Sequence, residues 1–408
     1  MDILEIITKK KNKLELSKEE LDYAFNGFLN KTIPDYQMSA LLMAIVINGM
    51  TLEETVNLTD LFIKSGEVYD LSDIKFTVDK HSTGGVGDST TLIVGPMCAA
   101  MGLHMAKMSG RGLGFTGGTI DKLESIPGFK VDLTKEEFLK QVKEIGFVNS
   151  SQTSNLCPMD KVVYALRDVT GTTESLPLIA SSIMSKKIAA GAKNILIDVK
   201  YGSGALTKTL KDAKVLSDWL IKIGEAYGRR VKTILSEMNA PLSYAVGNAL
   251  EVVEAINVLQ GKKCPLLDSC LEISATLYSM AHRCSYEDGL KKAKKVIENG
   301  DAYTKFTEFV KAQGGRIDEI KLASKIINVN SPKSGTIDKI DALGAAILAA
   351  KLGASKMTLD DKIDYSVGVL LNVKVGDKVK KGDLLMSLYI GKKEIDLKNE
   401  KYDFINIV

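Results

Sequence analysis

Only three histidines and six arginines occur among the 408 residues, and none of the five cysteines, Cys98, Cys157, Cys264, Cys270 and Cys284, stands in a CxxC pair. Zinc ribbons and disulfide frameworks therefore lose their support, a reducing compartment fits, and the thiols are expected to be structural. Long apolar runs are missing too. Stretches such as Leu41 to Ile47 fall far short of the ~20 residues that span a bilayer, and Met1 to Leu14 has no apolar core of the signal-peptide kind. A cytoplasmic protein is the expectation. Charge of one sign is not in excess either: 54 basic and 51 acidic residues leave a net charge of +3. That gives no global field to gather nucleic acid or an acidic membrane, so any anion must be held locally.

What is present is an ordinary globular composition, 45% hydrophobic and 26% charged, with enough chain for roughly two to three domains. The first seventy residues read as helices. Ser17 with Glu20 and Thr51 with Glu54 form capping boxes, each opening a segment with apolar residues three and four apart, and Thr32-Ile-Pro-Asp starts a helix that Gly49 can end. From Ile74 the pattern changes. Phe76-Thr-Val-Asp is a short strand candidate running into a Gly/Ser/Thr-rich stretch, a junction where open sheets bind ligands. Asn194-Ile-Leu-Ile-Asp-Val, the amphipathic segment Thr209 to Tyr227 and Arg230-Val-Lys-Thr-Ile-Leu together read as a β-α-β unit in a parallel or mixed sheet. Two or three helices are expected between Asn248 and Gln313. The last seventy residues form a separate appendage whose stretch Val367 to Leu385 resembles the hammerhead β-structure of lipoyl and biotinyl carriers, without an attachment lysine between methionines.

Two glycine-rich stretches dominate the chemistry: DKHSTGGVGDSTT from Asp79 and KMSGRGLGFTGGTIDKLE from Lys107. Glycines let a backbone approach a ligand and turn N–H groups inward, hydroxyls add donors, and lysine supplies the charge a dianion needs. Phosphate is the natural guess, with Lys80, Ser82, Thr91, Lys107, Ser109 and Thr119 as its candidate ligands. The Gly112 to Gly117 segment matches GxGxxG but is expected not to follow a strand directly, and no GxxxxGK[ST] occurs. A third stretch, Tyr164 to Gly191, ends in a helical pattern with Pro177 near its start. There Ser182 and Lys186 are four apart and share a face, as a hydroxyl and ammonium reading a planar ligand's carbonyl oxygens would. Arg167, expected on the preceding loop, adds a second cation.

These three stretches, with KHSTGGVGD, SGRGLGFTGGTIDKLE and ALRDVTGT followed by SSIMSKK as their matching motifs, resemble the thymidine/pyrimidine-nucleoside phosphorylase family over nearly the whole chain. The resemblance implies an α/β architecture: a helical lobe, a larger α/β lobe with a mixed sheet, and a C-terminal α+β hammerhead-like domain. Residues 1–70 would form the helical lobe, joined by about 161–190; residues 71–160 and 191–330 would form the phosphate-binding domain, and 331–408 the C-terminal one. It further implies a homodimer closing on nucleoside and phosphate, with the phosphate ligands named above and Arg167, Ser182 and Lys186 on the base. A potassium ion held by Gly87, Ser89, Leu242, Ala245 and Glu254 is implied as well. Lys107 before Met-Ser-Gly-Arg resembles the branch accepting both uridine and thymidine, whereas Phe115 stands where the family commonly has His.

The reaction implied is reversible phosphorolysis of uridine, thymidine and deoxyuridine to free base and pentose 1-phosphate, through an oxocarbenium-like sugar. Arg167, Lys186 and Ser182 would meet charge developing on the base, and His81 would donate a proton or hydrogen bond to its O2. His104 and His282 read as structural. The rivals are a thymidine-restricted phosphorylase, a magnesium-dependent phosphoribosyltransferase of the anthranilate type, and a non-catalytic nucleoside-binding regulator.

Overall fold

A computed structural model describes residues 1–112, 117–153, 155–356, 361–393 and 402–408. The chain divides into two compact units: residues 1–73, 153–195 and 214–233 make the first, and 74–152, 196–213 and 234–408 the second.

Four helices come first: α1 (Ile3–Lys11), α2 (Lys18–Leu29), α3 (Asp35–Asn48) and α4 (Leu52–Lys64). Both expected capping boxes form, with Ser17 and Thr51 each accepting from the backbone N–H three residues on while Glu20 and Glu54 reach back. Gly49 caps α3 with a φ of 71°. Then come β1 (Thr77–Ser82), α5 (Thr90–Ala100), β2 (His104–Ser109), α6 (Thr119–Glu124), α7 (Lys135–Ile145) and β3 (Phe147–Ser151). The chain returns to the first unit through α8 (Pro158–Thr170) and α9 (Leu176–Ala189). β4 (Asn194–Tyr201), α10 (Leu210–Ala226) and β5 (Arg230–Glu237) realise the expected β-α-β unit.

The first unit is built on a helical core in which Phe25, Leu41, Leu42, Ile45, Leu58 and Phe62 meet Met159, Val163 and Leu178. Its buried hub is Glu54. The carboxylate takes the buried Lys10 ammonium at 2.7 and 2.9 Å and the backbone amides of Leu16 and Thr51 at 2.8 and 2.7 Å, so a cap residue also ties α1 to α4.

Most of a five-stranded sheet of order β3-β2-β1-β4-β5, with β1–β2 and β2–β3 parallel, belongs to the second unit, while residues 194–195 of β4 and 230–233 of β5 belong to the first. α5 is buried almost throughout and packs in one core with residues of α11 (Asn248–Leu259), α12 (Pro265–His282), α13 (Tyr286–Glu298) and α14 (Asp301–Ala312). The region after Asn248 thus holds four helices rather than two or three. The short breaks at Gly261, Cys284 and Gly300 divide what apolar spacing alone runs together.

β6 (Ala245–Val246) precedes α11, and β7 (Lys325–Asn330), β8 (Gly335–Ile340), α15 (Ala342–Leu352), β9 (Gly368–Leu371), β10 (Lys378–Val379), β11 (Leu384–Ile390) and β12 (Ile405–Ile407) complete the chain. Two small antiparallel sheets result, β10-β8-β12 and β6-β9-β11-β7, around a core of their own that includes α15. All five cysteines are free, and among the described residues no helix is long and apolar enough to cross a membrane.

Candidate active site

Two neighbouring strand-to-helix turns of the second unit carry the expected phosphate ligands. β1 lies where the strand order turns back, between β2 and β4, and the crevice at the carboxyl ends of such strands is the usual ligand site of open parallel sheets. Lys80 and Ser82, two apart, share one face of β1, and alternation puts His81 on the other. Thr91 sits in the first turn of α5, whose helix start offers backbone N–H groups to an anion.

Asp88 closes this first turn. One carboxylate oxygen accepts the Ser82 hydroxyl at 2.6 Å; the other accepts the Thr90 amide at 3.2 Å and lies 3.9 Å from the Lys80 ammonium, which donates to the Thr90 hydroxyl. Burial opposes the charge on Asp88, yet Lys80, Lys200 and Lys122 outweigh it and hold its carboxyl well below the usual range. Lys122 donates to the Asp88 carbonyl at 2.7 Å and pairs with buried Glu251 at 2.7 Å. Burial pushes the Glu251 carboxyl up, with Lys122 pulling the other way. Lys200 pairs with Asp198 at 2.7 Å, and although burial disfavours its charge, Asp88 and Asp198 prevail and raise its pKa.

The second turn leaves β2. Ser109 donates to Asn149 at 2.8 Å, and the buried Lys107 ammonium lies 3.3 Å from the Met108 carbonyl oxygen. Thr119 is the first residue of α6. The two ends of the glycine loop are drawn together: Asp121 accepts the Gly112 amide at 2.6 Å, and a Cβ on Gly118 would stand 2.0 Å from that nitrogen, which only glycine permits. Arg111 pairs with Glu124 at 2.7 Å and Asp121 at 3.3 Å, and Tyr365 donates to Glu124 at 2.9 Å. Phe115 lies outside the described residues. The GxGxxG segment does follow a strand, contrary to expectation. His-Met-Ala-Lys-Met-Ser has no β-branched or aromatic residue to betray β2.

The candidate base residues lie in the first unit. Lys186 donates to Ser182 at 2.7 Å, as their spacing on α9 requires, and also to Asp160 on α8. Arg167 is not on a loop but in the last turn of α8, and it is buried. Its guanidinium donates to the carbonyls of Thr172, Leu178 and Thr173 at 3.1, 3.2 and 2.9 Å, so the chain after α8 wraps around it. Burial lowers its pKa, with Asp160 opposing the shift.

Among the described residues no group of three His, Cys, Asp or Glu side chains is placed to hold a metal. The residues implied for potassium nonetheless suit a hard monovalent cation in their chemistry, being hydroxyl, carboxylate and backbone oxygens. Ser89 Oγ is buried without a hydrogen-bond partner among the described residues. Gly87, at a φ of 64°, brings its backbone so close to the following loop that a Cβ would lie 3.0 Å from the Ala245 carbonyl oxygen. Leu242 donates its amide to Val86 at 3.1 Å, and Glu254 is fixed by the amides of Tyr244 and Ala245 at 3.0 and 2.9 Å. Of the other histidines, His104 bonds the Lys75 carbonyl and His282 stacks between Phe76 and Tyr278.

Sequence reasoning passed over Asp88, Lys122, Asp160, Asp198, Lys200 and Glu251 as site residues. Asp198 and Lys200 had a signal, since opposite charges two apart share one face of an otherwise apolar strand, where they can pair. Asp160 had none.

Three family models cover most of the chain: a glycosyl transferase family helical bundle domain over residues 4–66, the a/b domain of the same family over 75–303, and a pyrimidine nucleoside phosphorylase C-terminal domain over 336–403. The pyrimidine-nucleoside phosphorylases of Bacillus subtilis (strain 168) and Geobacillus stearothermophilus are each 46% identical to it, over 100% of this chain and 96% of theirs. The crystal structure of an anthranilate phosphoribosyltransferase from Thermus thermophilus matches 76% of this chain and 99% of its own, with a TM-score of 0.62 at 16% identity, a likeness of fold. The chain belongs to the pyrimidine-nucleoside phosphorylase family of glycosyl transferases.

Proposed function

We propose that this pentosyltransferase catalyses the reversible phosphorolysis of uridine, thymidine and deoxyuridine, giving free base and a pentose 1-phosphate. The observation that carries the reading is the division of labour among its cations: lysines on adjacent strand-to-helix turns, at Lys80 and Lys107, and a separate Arg167–Ser182–Lys186 set built on helices. Phosphate would be bound by Lys80, Ser82, Thr91, Lys107, Ser109 and Thr119 and attack C1′, while Arg167, Ser182 and Lys186 take up the charge passing to the leaving pyrimidine. This lowers the barrier by positioning and electrostatics, with no covalent intermediate. His81, on the face of β1 opposite Lys80 and Ser82, would give a proton or hydrogen bond to the base O2. A potassium ion on Ser89, Glu254 and the carbonyls of Gly87, Leu242 and Ala245 would tie the 87–89 turn to the 242–245 loop.

A homodimer is part of the reading. α3 exposes Tyr36, Met43 and Ile47 on one face, and α8, packed against it, exposes Val162 and Val169; apolar side chains exposed on two packed helices support a contact between protomers there. Ile47→Asp with Val169→Asp should give monomers in sedimentation experiments. The cytoplasm is the compartment that fits free thiols. Phosphate-dependent release of uracil and thymine from the three nucleosides tests the activity. Binding without release would favour a regulator, and release from thymidine alone a thymidine-restricted enzyme.

A further inference from the structure

Asp160 stands in the first turn of α8, seven residues and two helical turns before Arg167, so both project from similar faces. Its side chain is about as buried as a core residue, at 5% exposure, and one carboxylate oxygen takes the Lys186 ammonium. The other oxygen is buried and has no hydrogen-bond partner among the described residues. Asp160 is also the carboxylate that acts on the Arg167 charge. The carbonyls of Thr172, Thr173 and Leu178 fix the guanidinium but carry no net charge to cancel it. The nearest thiol, Cys157 at the start of α8, is pushed up to about 12 by burial and stays neutral.

The formal charges of Arg167, Lys186 and Asp160 therefore sum to +1. Without Asp160 they would sum to +2 beside the Ser182 hydroxyl, a charge and donor set that suits inorganic phosphate. A pyrimidine in its nucleoside is neutral and acquires a single negative charge only as the glycosidic bond breaks.

We propose that Asp160 is a positioning and selectivity residue: its carboxylate fixes the Lys186 ammonium beside Ser182 and cancels half of the positive charge of Arg167 and Lys186, so that a neutral heterocycle is taken and phosphate is refused. The proposal rests on the assignment of Arg167, Ser182 and Lys186 to the base. Specificity of this kind comes from making the wrong ligand unwelcome as much as from contacts to the right one.

Asp160→Asn should lower kcat/KM for uridine by roughly ten- to a hundredfold, the size expected when the partner of a substrate-binding charge is removed. In the same variant, millimolar inorganic phosphate should become a competitive inhibitor against the nucleoside, which a merely structural loss would not produce. Asp160→Glu keeps the charge, so it should lose kcat/KM through the displaced ammonium yet show no phosphate competition. Asp160→Asn with uridine kcat/KM within twofold of the parent, or a loss without competition, overturns the proposal. Should Asp160→Asn not fold, Asp160→Glu decides: unchanged kcat/KM or phosphate competition there overturns it. Lys186→Met separates the two levels. If it leaves nucleoside use intact the base assignment itself fails, whereas a loss there beside an unaffected Asp160→Asn removes only the role of Asp160.

Discussion

In the helical unit the carboxylate of the pair Lys10–Glu54 is saturated: it accepts the ammonium twice and two backbone amides besides, which leaves it no lone pair for a ligand. In the α/β unit the pair Lys80–Asp88 is loose at 3.9 Å, its members shared with Ser82, Thr90 and two further lysines. The two buried pairs differ in how much bonding capacity they retain. A buried ion pair repays its desolvation only when every lone pair and proton is used. Saturation suits architecture, whereas a site needs bonding capacity left over for its ligand. Ser89 Oγ and Asp160 Oδ1, two of the buried polar atoms without hydrogen-bond partners among the described residues, have such capacity at the candidate cation and base residues respectively.

The sharpest way to break the comparison is at its architectural end. Lys10→Met strands a buried carboxylate and should cost about 3–5 kcal/mol in denaturant unfolding, while kcat of the folded fraction stays as it was. Lys186→Ala should reduce kcat/KM for nucleoside roughly 100- to 1,000-fold, as loss of a transition-state donor does, with phosphate affinity by calorimetry retained. Lys80→Ala should raise the phosphate KM roughly ten- to a hundredfold, because a charge-assisted bond to a dianion is lost, with nucleoside binding little changed. Equal losses for both substrates would contradict the assignment. The smallest effect is one of pH. Asp88 has a folded pKa below its unfolded one, so it contributes stability above the unfolded value of 3.8, and that stability is lost as pH falls through the lower folded value. Asp88→Asn should lower the melting temperature at pH 6 and narrow the gap between pH 6 and pH 3.

Helix starts were legible because capping is local. Ser17 and Thr51 with their glutamates, and Gly49, announce themselves within four residues, and the α9 pair Ser182–Lys186 follows from helical pitch alone. β4 and β5 were legible from apolar runs. β2 was not, because His-Met-Ala-Lys-Met-Ser has no β-branched residue to signal a strand. Arg167 reads as a loop residue although the Gly171 stop lies beyond it, and only the fold shows that the chain after α8 wraps back to it. Asp160 and Glu251 were illegible for a different reason: their partners are 26 and 129 residues away, and sequence spacing carries no trace of such pairs.

The two-residue strand β6 has a wider consequence. It pairs Ala245 with Leu370 and Val246 with Val369, so the outermost ribbon of the C-terminal sheet is supplied from upstream of four helices. The tail is therefore not a detachable module. A truncation made near residue 330 would strip β6 of its neighbour and leave it a bare backbone edge, and a tail grafted from a relative would have to match this upstream segment as well as itself. Exchange of C-terminal domains between such enzymes is constrained by a dipeptide that lies outside the part being exchanged.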